Sequence, residues 1–317
     1  MTAHRSGRSG FRALLAFGTF LAAGAALIRR RFRQDMAAHA ARIAADSLIL
    51  ETPCGRIEYG EEGSGVPILA LHGAGGGYDQ GLLLASWLGE GYRVIAPSRF
   101  GYLGSPILGD GSVQEQAAAY TGLLDALGLD RVAVFADSAG GPSALQFALD
   151  YPERVDALVL ISAISTLRPI RDDSSGPPAA LLTDFVFWSA LTVLPDQALP
   201  AFGVPSEALA RLTPAEHERM WETIRLMQPM SRRMPGMNLD AVEQSKPAVE
   251  ALPLEQITAP TLVIHATDDS LIPVAQGQHS ASRIPGARLV TVEYGGHLAA
   301  VLDSVTEQVK EFLSGIE

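Results

Sequence analysis

The sequence has few of the residues from which disulfide frameworks and metal clusters are built. Among its 317 residues there is one cysteine, Cys54, so no intramolecular disulfide can form. Cys54 lies between Pro53 and Gly55 in a predicted turn, where we expect it to be structural. The histidines and carboxylates do not cluster at the spacing of metal ligands. We therefore expect neither redox chemistry nor a zinc cluster, and no metal or cofactor.

Basic residues are scarce relative to acidic ones outside the N-terminal region. The net charge is −11, but residues 1–35 hold seven Arg and one Asp, which is +6, so residues 36–317 carry −17. An acidic body argues against a nucleic-acid partner. The 47% share of hydrophobic residues is ample for a sizeable core.

The basic N-terminal region surrounds an uncharged segment, residues 13–28. Its 16 residues fall short of the ~20 that cross a bilayer, but flanking Arg side chains can extend the span by snorkelling. We predict that residues 1–46 form a membrane anchor followed by a spacer helix over 34–46, with the body on the cytoplasmic face. The alternative is an export signal cleaved near residues 22–26, where small alanine residues occur.

From residue 47 onward, short apolar strands alternate with helical segments. Such repeats build a mostly parallel, doubly wound α/β sheet with helices on both faces. A closing helix is predicted over 298–313. The predicted strands are an antiparallel pair at 48–51 and 56–59, then 67–71, 92–96, one that begins at Val132, 156–161, 261–265 and 287–292.

Ser138 follows an apolar strand directly and precedes a helix-compatible stretch, 142–149. Ala136 and Gly140, the residues two before and two after it, are small, as required where a strand and a helix pass closely. This context is typical of a nucleophile elbow, and a plain turn is the alternative.

A glycine-rich loop, 72–77, follows the strand at 67–71. Glycines allow backbone N–H groups to face a ligand, so we predict an oxyanion hole with the Ala74 N–H as one donor. A phosphate loop is disfavoured because the G-K-[ST] ending is absent, and a flexible turn is the remaining alternative. His72 is expected to brace this loop.

The β-α repeat stops between residues 162 and 258. Aromatic residues concentrate there, and five of the seven Met fall between 220 and 237. Because Met packs adaptably, we predict a helical cap over an apolar substrate pocket; ordinary packing of an insertion against the sheet is the alternative. A capping box at Thr213–Glu216 predicts one helix of this region.

Two late strands end in polar residues. Asp268 and Asp269 follow one of them, and His297 follows the last. Ser, Asp and His in this chain order are expected of a catalytic triad on such a sheet. Parallel strands place these loops at the same edge. His265 lies within a predicted buried strand and is interpreted as a core residue.

Residues 47–317 resemble an α/β-hydrolase, and are similar to single-domain esterases and meta-cleavage hydrolases with a helical cap. The resemblance implies that Ser138 is the nucleophile and His297 the base. It also implies that Asp269, four residues before Pro273, is the triad acid. The motifs that carry it are His72-Gly73-Ala74, Ala136-Asp137-Ser138-Ala139-Gly140, Asp269 with Pro273, and Gly295-Gly296-His297.

The same resemblance makes the N–H groups of Ala74 and Ala139 the oxyanion donors. It implies a first core segment at 47–161, a cap at 162–258 and a second core segment at 259–317. Ala136 and Ala266 replace family glycines, and Ser98 stands where Asp is frequent. An Asp directly before the serine, here Asp137, resembles the hormone-sensitive-lipase branch of the family. The H-G-G-G motif of that branch is absent from this sequence.

The expected function is hydrolysis of carboxylic esters, with small apolar esters as substrates. Two alternatives remain: cleavage of a carbon–carbon bond beside a ketone or acyl transfer by the same triad, and a catalytically silent binding protein on this fold. Ser rather than Asp at position 138 argues against dehalogenase or epoxide-hydrolase chemistry.

Overall fold

A computed structural model describes residues 6–166, 182–244, 246, 249 and 251–316. The chain divides into two compact units, Met1–Ala44 and Ala45–Glu317.

Helix α1 runs without a break from Ser6 to Asp46. Residues 34–46, predicted as a spacer helix, are helical and continue directly from the residues before them. Among the helices whose residues are described, none is long and apolar enough to cross a membrane. The predicted anchor at 13–28 thus finds no support, and the side chains of its first part, 13–21, lie outside the description.

The second unit is built on one eight-stranded sheet with the order β1-β2-β4-β3-β5-β6-β7-β8. β1 and β2 form an antiparallel hairpin, β2 pairs antiparallel with β4, and all other neighbours are parallel. The predicted α/β class is confirmed. The strands are β1 Leu48–Thr52, β2 Gly55–Gly63, β3 Val66–Leu71, β4 Tyr92–Pro97, β5 Val132–Asp137, β6 Val155–Ile161, β7 Thr261–Ala266 and β8 Arg288–Val292.

The central strands are buried because helices cover the sheet. Every residue of β7, and all but one residue each of β5 and β6, is buried, as expected of apolar strands in a parallel sheet. The helices that alternate with the strands are α2 Tyr78–Ser86, α3 Val113–Ala126, α4 Gly141–Asp150, α10 Ala275–Arg283 and α11 Asp303–Ser314.

The strand order places the functional loops together. The chain leaves β3 for β4 on one side and returns to β5 on the other, so the order reverses between β3 and β5. Loops at the carboxyl ends of strands beside such a reversal enclose a crevice. The glycine-rich loop after β3 and the turn after β5 meet there.

Short helices fill the connection between β6 and β7. α8 begins at the predicted capping box, in which Thr213 Oγ1 accepts from Glu216 N and the Glu216 side chain accepts from Thr213 N. Residues 167–181 of the predicted cap lie outside the described residues. The described helices are α5 Asp184–Val193, α6 Pro195–Ala198, α7 Ser206–Leu209, α8 Pro214–Leu226 and α9 Met234–Glu243.

The predicted closing helix over 298–313 is interrupted. A 3₁₀ segment, Gly296–Val301, is separated from α11 by the extended backbone of Leu302. Helix α11 then begins with Asp303, whose N–H donates to Glu216 Oε1 at 3.0 Å. His297 therefore lies in the 3₁₀ segment and not in the last helix.

Candidate active site

Ser138 stands on a sharp turn between β5 and α4. Its backbone has φ +48°, a left-handed conformation that costs a non-glycine residue about 1–3 kcal/mol. The turn fits because Gly140 and Gly141 have no side chains. A Cβ on Gly140 would lie 2.6 Å from the Leu71 carbonyl oxygen, and one on Gly141 would lie 2.4 Å from the Ile164 carbonyl oxygen. The sequence predicted this elbow, including the small residue at position 140.

Three side chains that are distant in the sequence form one hydrogen-bonded line. Ser138 Oγ lies 2.8 Å from His297 Nε2, and His297 Nδ1 lies 2.8 Å from Asp269 Oδ2. The three residues are 6–7% exposed, so the line is largely shielded from water. Since the carboxylate can only accept, Nδ1 carries the proton and Nε2 is free to accept from the serine hydroxyl.

Asp269 is held as a carboxylate by several donors. Its Oδ1 accepts from the backbone N–H groups of Leu271 and Ile272 at 2.9 and 2.8 Å. Burial by itself favours the neutral acid. The facing His297, together with hydrogen bonds from His265, His297 and Ile272, outweighs burial and holds the pKa of Asp269 well below its usual range.

His265 contacts the same carboxylate from inside the sheet. Its Nε2 lies 2.8 Å from the Ile272 carbonyl oxygen and 3.4 Å from Asp269 Oδ2, so Nε2 carries the proton. The interpretation of His265 as a core residue was right about its burial but missed this contact. The available signal was its place four residues before Asp269, in the strand that leads to that loop.

Asp268 has a different task from its neighbour. Its Oδ1 accepts from Gly296 N at 2.8 Å, and His297 N donates to the carbonyl oxygen of Gly203 in the cap at 3.0 Å. These two bonds hold the backbone at Gly296 and at His297. The structure therefore brings Asp269, and not Asp268, to the imidazole.

His72 lies beneath the glycine-rich loop and is fully buried. Its Nδ1 is 2.7 Å from Gly73 O, and its Nε2 accepts from Arg99 N at 3.0 Å. Burial, followed by the nearby Arg99 cation, lowers the pKa of His72 well below its usual value. A neutral imidazole with both nitrogens engaged braces the loop, as expected.

The two predicted oxyanion donors belong to residues on the same cavity wall as Ser138. Ala74 lies in the loop after β3, and Ala139 follows the serine in the 3₁₀ turn Ser138–Gly140. A Cβ on Gly73 would lie 3.0 Å from Ser138 Cβ, so the glycine-rich loop closely approaches Ser138.

The cavity above Ser138 has a volume of about 120 Å³. Side chains from the cap and from both core segments line it, and most of them are apolar. Among the described residues, no group of three or more His, Cys, Asp or Glu is arranged to hold a metal ion. The apolar lining includes Leu84, Ile164, Leu182, Phe202, Ile224, Met227, Met237, Leu271 and Val301.

Buried ion pairs attach the cap helices to the core. Arg233 in the cap forms a two-point contact with the Asp79 carboxylate at 3.1 and 2.8 Å and also donates to Gly76 O. Arg99 in the core makes a two-point contact with Asp240 of the cap at 2.7 and 2.6 Å. Such pairs fix orientation, and removing one partner is costly because the other charge stays buried.

Ser98 stands where an Asp was expected from the family resemblance, and a neighbouring strand supplies a carboxylate to this position. Glu58 of β2 is buried, and its Oε2 accepts from Ser98 Oγ at 2.7 Å and from Gly104 N at 2.8 Å. A carboxylate therefore binds the loop after β4 although the loop's own residue is a serine.

Comparison with known proteins agrees with this architecture. The family described as alpha/beta hydrolase fold matches residues 66–303. An uncharacterized hydrolase of Bacillus subtilis, YcgS, is 30% identical over 77% of this chain and 89% of its own length. A 2-hydroxymuconate semialdehyde hydrolase of Pseudomonas putida is 30% identical over 75% of this chain and 82% of its own.

The solved structure of an alpha/beta hydrolase fold protein from Nakamurella multipartita is also similar. It is 30% identical, with a TM-score of 0.73, over 84% of this chain and 98% of that one. The family match, the sheet order and the loops that meet beside β3 and β5 lead to one conclusion. The chain is a hydrolase that belongs to the α/β-hydrolase family.

Proposed function

We propose that the protein is a serine hydrolase that cleaves carboxylic esters through an acyl-enzyme intermediate, with Ser138, His297 and Asp269 as its catalytic residues. The observation that carries the proposal is the line of two 2.8 Å contacts that ends on a serine at a cavity wall. A serine hydroxyl becomes an effective nucleophile when a base within hydrogen-bond reach takes its proton.

Each step follows from the position of these groups. Ser138 Oγ attacks the ester carbonyl while its proton passes to His297 Nε2, and the carbonyl oxygen becomes an oxyanion. The C–O bond to the alcohol breaks, and the alcohol leaves with the proton from Nε2. Water then attacks the acyl-enzyme carbonyl and loses a proton to His297. The bond from the acyl carbon to Ser138 Oγ breaks, Oγ takes the proton back from Nε2, and the acid is released. Asp269 keeps the proton on Nδ1 and stabilises the imidazolium.

The backbone N–H groups of Ala74 and Ala139 would stabilise the oxyanion. Both residues lie at the cavity wall beside the nucleophile. A fixed donor at such a position contributes about 10²–10³ in turnover.

Substrates with a small, apolar part fit the cavity best. Its volume of about 120 Å³ suits a short acyl chain. Its lining is dominated by apolar side chains such as Phe202, Ile224 and Met227. Transfer of such a chain from water is favourable by about 0.8 kcal/mol for each methylene buried.

The test is covalent labelling together with turnover. A fluorophosphonate probe should label the protein, and Ser138→Ala should abolish both labelling and hydrolysis of ethyl esters of two to eight acyl carbons. Unlabelled, folded protein that hydrolyses no ester would leave a silent binding protein as the function.

A second candidate uses the same triad to cleave a carbon–carbon bond beside a ketone. The similarity to the Pseudomonas putida hydrolase favours it. Turnover of a vinylogous 1,5-diketone, with kcat/KM above that of every ester tested, would select this candidate.

A further inference from the structure

Two side chains with acceptor oxygens, Gln80 and Asp137, line the cavity. Gln80, in the first turn of α2, is 5% exposed, and its Oε1 accepts no hydrogen bond from the described residues. Asp137, the last residue of β5, is half-buried and directly precedes Ser138. A buried acceptor without a donor is costly, so Gln80 Oε1 requires a partner, and the half-buried Asp137 carboxylate offers a second acceptor in the same cavity.

The glycine-rich loop leaves room for both oxygens. A Cβ on Gly76 would lie 2.3 Å from Gln80 Oε1, and one on Gly73 would lie 2.8 Å from Asp137 Oδ2. Either side chain would have to move if the loop carried a larger residue. The two acceptors, one from α2 and one from β5, therefore pack against the loop that also carries Ala74.

The charge around the cavity is negative apart from the imidazole. Among the described residues that line it there is no Lys or Arg. The buried cations nearest in the fold, Arg99 and Arg233, already bind the carboxylates of Asp240 and Asp79. A substrate carboxylate would therefore enter beside Asp137 with no free cation to meet it.

We propose that Asp137 and Gln80 recognise an O–H or N–H donor carried by the substrate close to the scissile carbonyl, and that a carboxylate at that place is rejected. The inference rests on the ester-hydrolase function proposed above. A site that holds unpaired acceptors discriminates against substrates that lack the matching donor, because the acceptors stay desolvated and unpaired. The predicted apolar pocket thus gains a polar determinant at its reactive end.

Electrostatics supports this assignment at alkaline pH. Burial raises the pKa of Asp137 to about 6, although the nearby His297 partly offsets this rise. Of the other groups that face Asp137, Asp269 raises its pKa, whereas Arg99 and His265 lower it. At pH 8 the side chain is therefore an anion. It can accept from a donor and repels a second carboxylate.

Three ethyl esters of similar size test the proposal by pH-stat titration at pH 8. They are ethyl butanoate, ethyl 3-hydroxybutanoate and monoethyl succinate, which carry no polar group, a hydroxyl and a carboxylate. We expect kcat/KM for the hydroxy ester to exceed that for the butanoate by about tenfold or more, and that for the succinate to fall below it by as much. Ratios of kcat/KM within one variant are independent of the fraction of folded enzyme.

Two variants separate the two acceptors. Gln80→Leu should lower the hydroxybutanoate-to-butanoate ratio by about tenfold, because it removes one acceptor. Asp137→Asn should raise the succinate-to-butanoate ratio by about tenfold, because it removes the charge. Thr223→Val is the matched control, since the Thr223 hydroxyl lines the same cavity but already donates to Arg219 O at 2.9 Å. Both ratios should stay within about twofold in this control.

The outcomes distinguish the two proposals. Turnover of ethyl butanoate, with both ratios unchanged in Gln80→Leu and Asp137→Asn, overturns the acceptor pair and leaves the esterase function standing. Absence of turnover of all three esters, with no fluorophosphonate labelling of Ser138, overturns the esterase function and the acceptor pair together.

Discussion

At the scale of single residues, two adjacent carboxylates differ in role because their side chains point to different partners. Asp269 faces the imidazole of His297, whereas Asp268 accepts from Gly296 N. An amide at position 269 would present an N–H to Nδ1 and favour the wrong tautomer. At position 268 an amide oxygen can still accept from Gly296 N.

We therefore expect Asp269→Asn to lower kcat on ethyl butanoate by about 10⁴, as loss of the triad acid does in serine hydrolases. Asp268→Asn should lower it by less than about tenfold. Steady-state kinetics of the two variants, with fluorophosphonate labelling to count active sites, checks this. Equal losses at the two positions would mean that the acid has been misassigned.

In the proposed mechanism His265 is a positioning residue, since it contacts the proposed acid, Asp269, and is not part of the cavity lining. His265→Leu should reduce kcat by about 10–100-fold, because Asp269 Oδ2 loses a donor and can move. It should also shift the acidic limb of the kcat/KM–pH profile, which a purely structural loss would leave in place. His265→Gln, whose amide nitrogen can reach the position of Nε2, should restore most of the rate and the profile. A profile unmoved in His265→Leu would contradict the assignment.

The raised pKa of Asp137 predicts a pH-dependent cost in stability. Its folded-state pKa of about 6 lies above the usual value of 3.8, so the folded state binds this proton more tightly. The penalty is absent below pH 3.8, grows between the two values, and reaches about 3 kcal/mol above pH 6.

Asp137→Asn removes that penalty. Its free energy of unfolding should exceed that of the wild type, by about 1 kcal/mol more at pH 8 than at pH 5. Urea denaturation at the two pH values measures the gap. A gap independent of pH would show that the carboxyl is not desolvated.

At the scale of elements, the elbow depends on the distance between α4 and the strands beside it. Gly140 lies against the Leu71 and His72 carbonyl oxygens, where a Cβ would be 2.6 and 3.0 Å away. Gly122, inside α3, would place its Cβ 3.3 Å from Thr52 Oγ1 and 3.4 Å from Cys54 Sγ, which are side-chain atoms at larger distances. The two glycines share a residue type but face different neighbours.

Gly140→Ala should destabilise the protein by about 1–3 kcal/mol and displace Ser138, because backbone atoms cannot yield without strain. Gly122→Ala should be neutral or stabilising by up to about 1 kcal/mol, since Ala is the better helix former. Thermal unfolding and kcat of the two variants measure this difference. Equal stability losses would show that the approach of α4 to β3 is not what requires glycine at 140.

At the scale of the whole molecule, the residues of the proposed site all belong to one unit. Ser138, Asp269, His297 and the cavity lining lie within Ala45–Glu317. The sheet, its covering helices and the described cap helices are in that unit as well.

A chain of residues 45–317 should therefore fold and hydrolyse ethyl butanoate with kcat/KM within about twofold of the full chain. Circular dichroism and pH-stat kinetics on both chains make the comparison. An insoluble or inactive 45–317 chain would show that the N-terminal unit contributes to the hydrolase fold.

Much of the fold could be predicted because its signals are local. Apolar runs and glycine turns located the eight strands, and the capping box located the start of α8. The positions of Ser138, Asp269 and His297 followed from the strands that precede them. The break at Leu302 could not be predicted, because it depends on where Glu216 of the cap meets the backbone of Asp303.

The sequence by itself determined the strand pattern, the turn at Ser138 and the strands after which Ser138, Asp269 and His297 lie, since each depends on neighbours along the chain. Only the tertiary structure decided the rest. It paired His265 with Asp269, supplied Glu58 to Ser98, and placed Asp137 and Gln80, whose Oε1 has no donor among the described residues, in the wall of the cavity with Ser138. The physical reason is that hydrogen bonding and desolvation depend on which groups meet in space, and these partners are distant in the chain or face an open cavity.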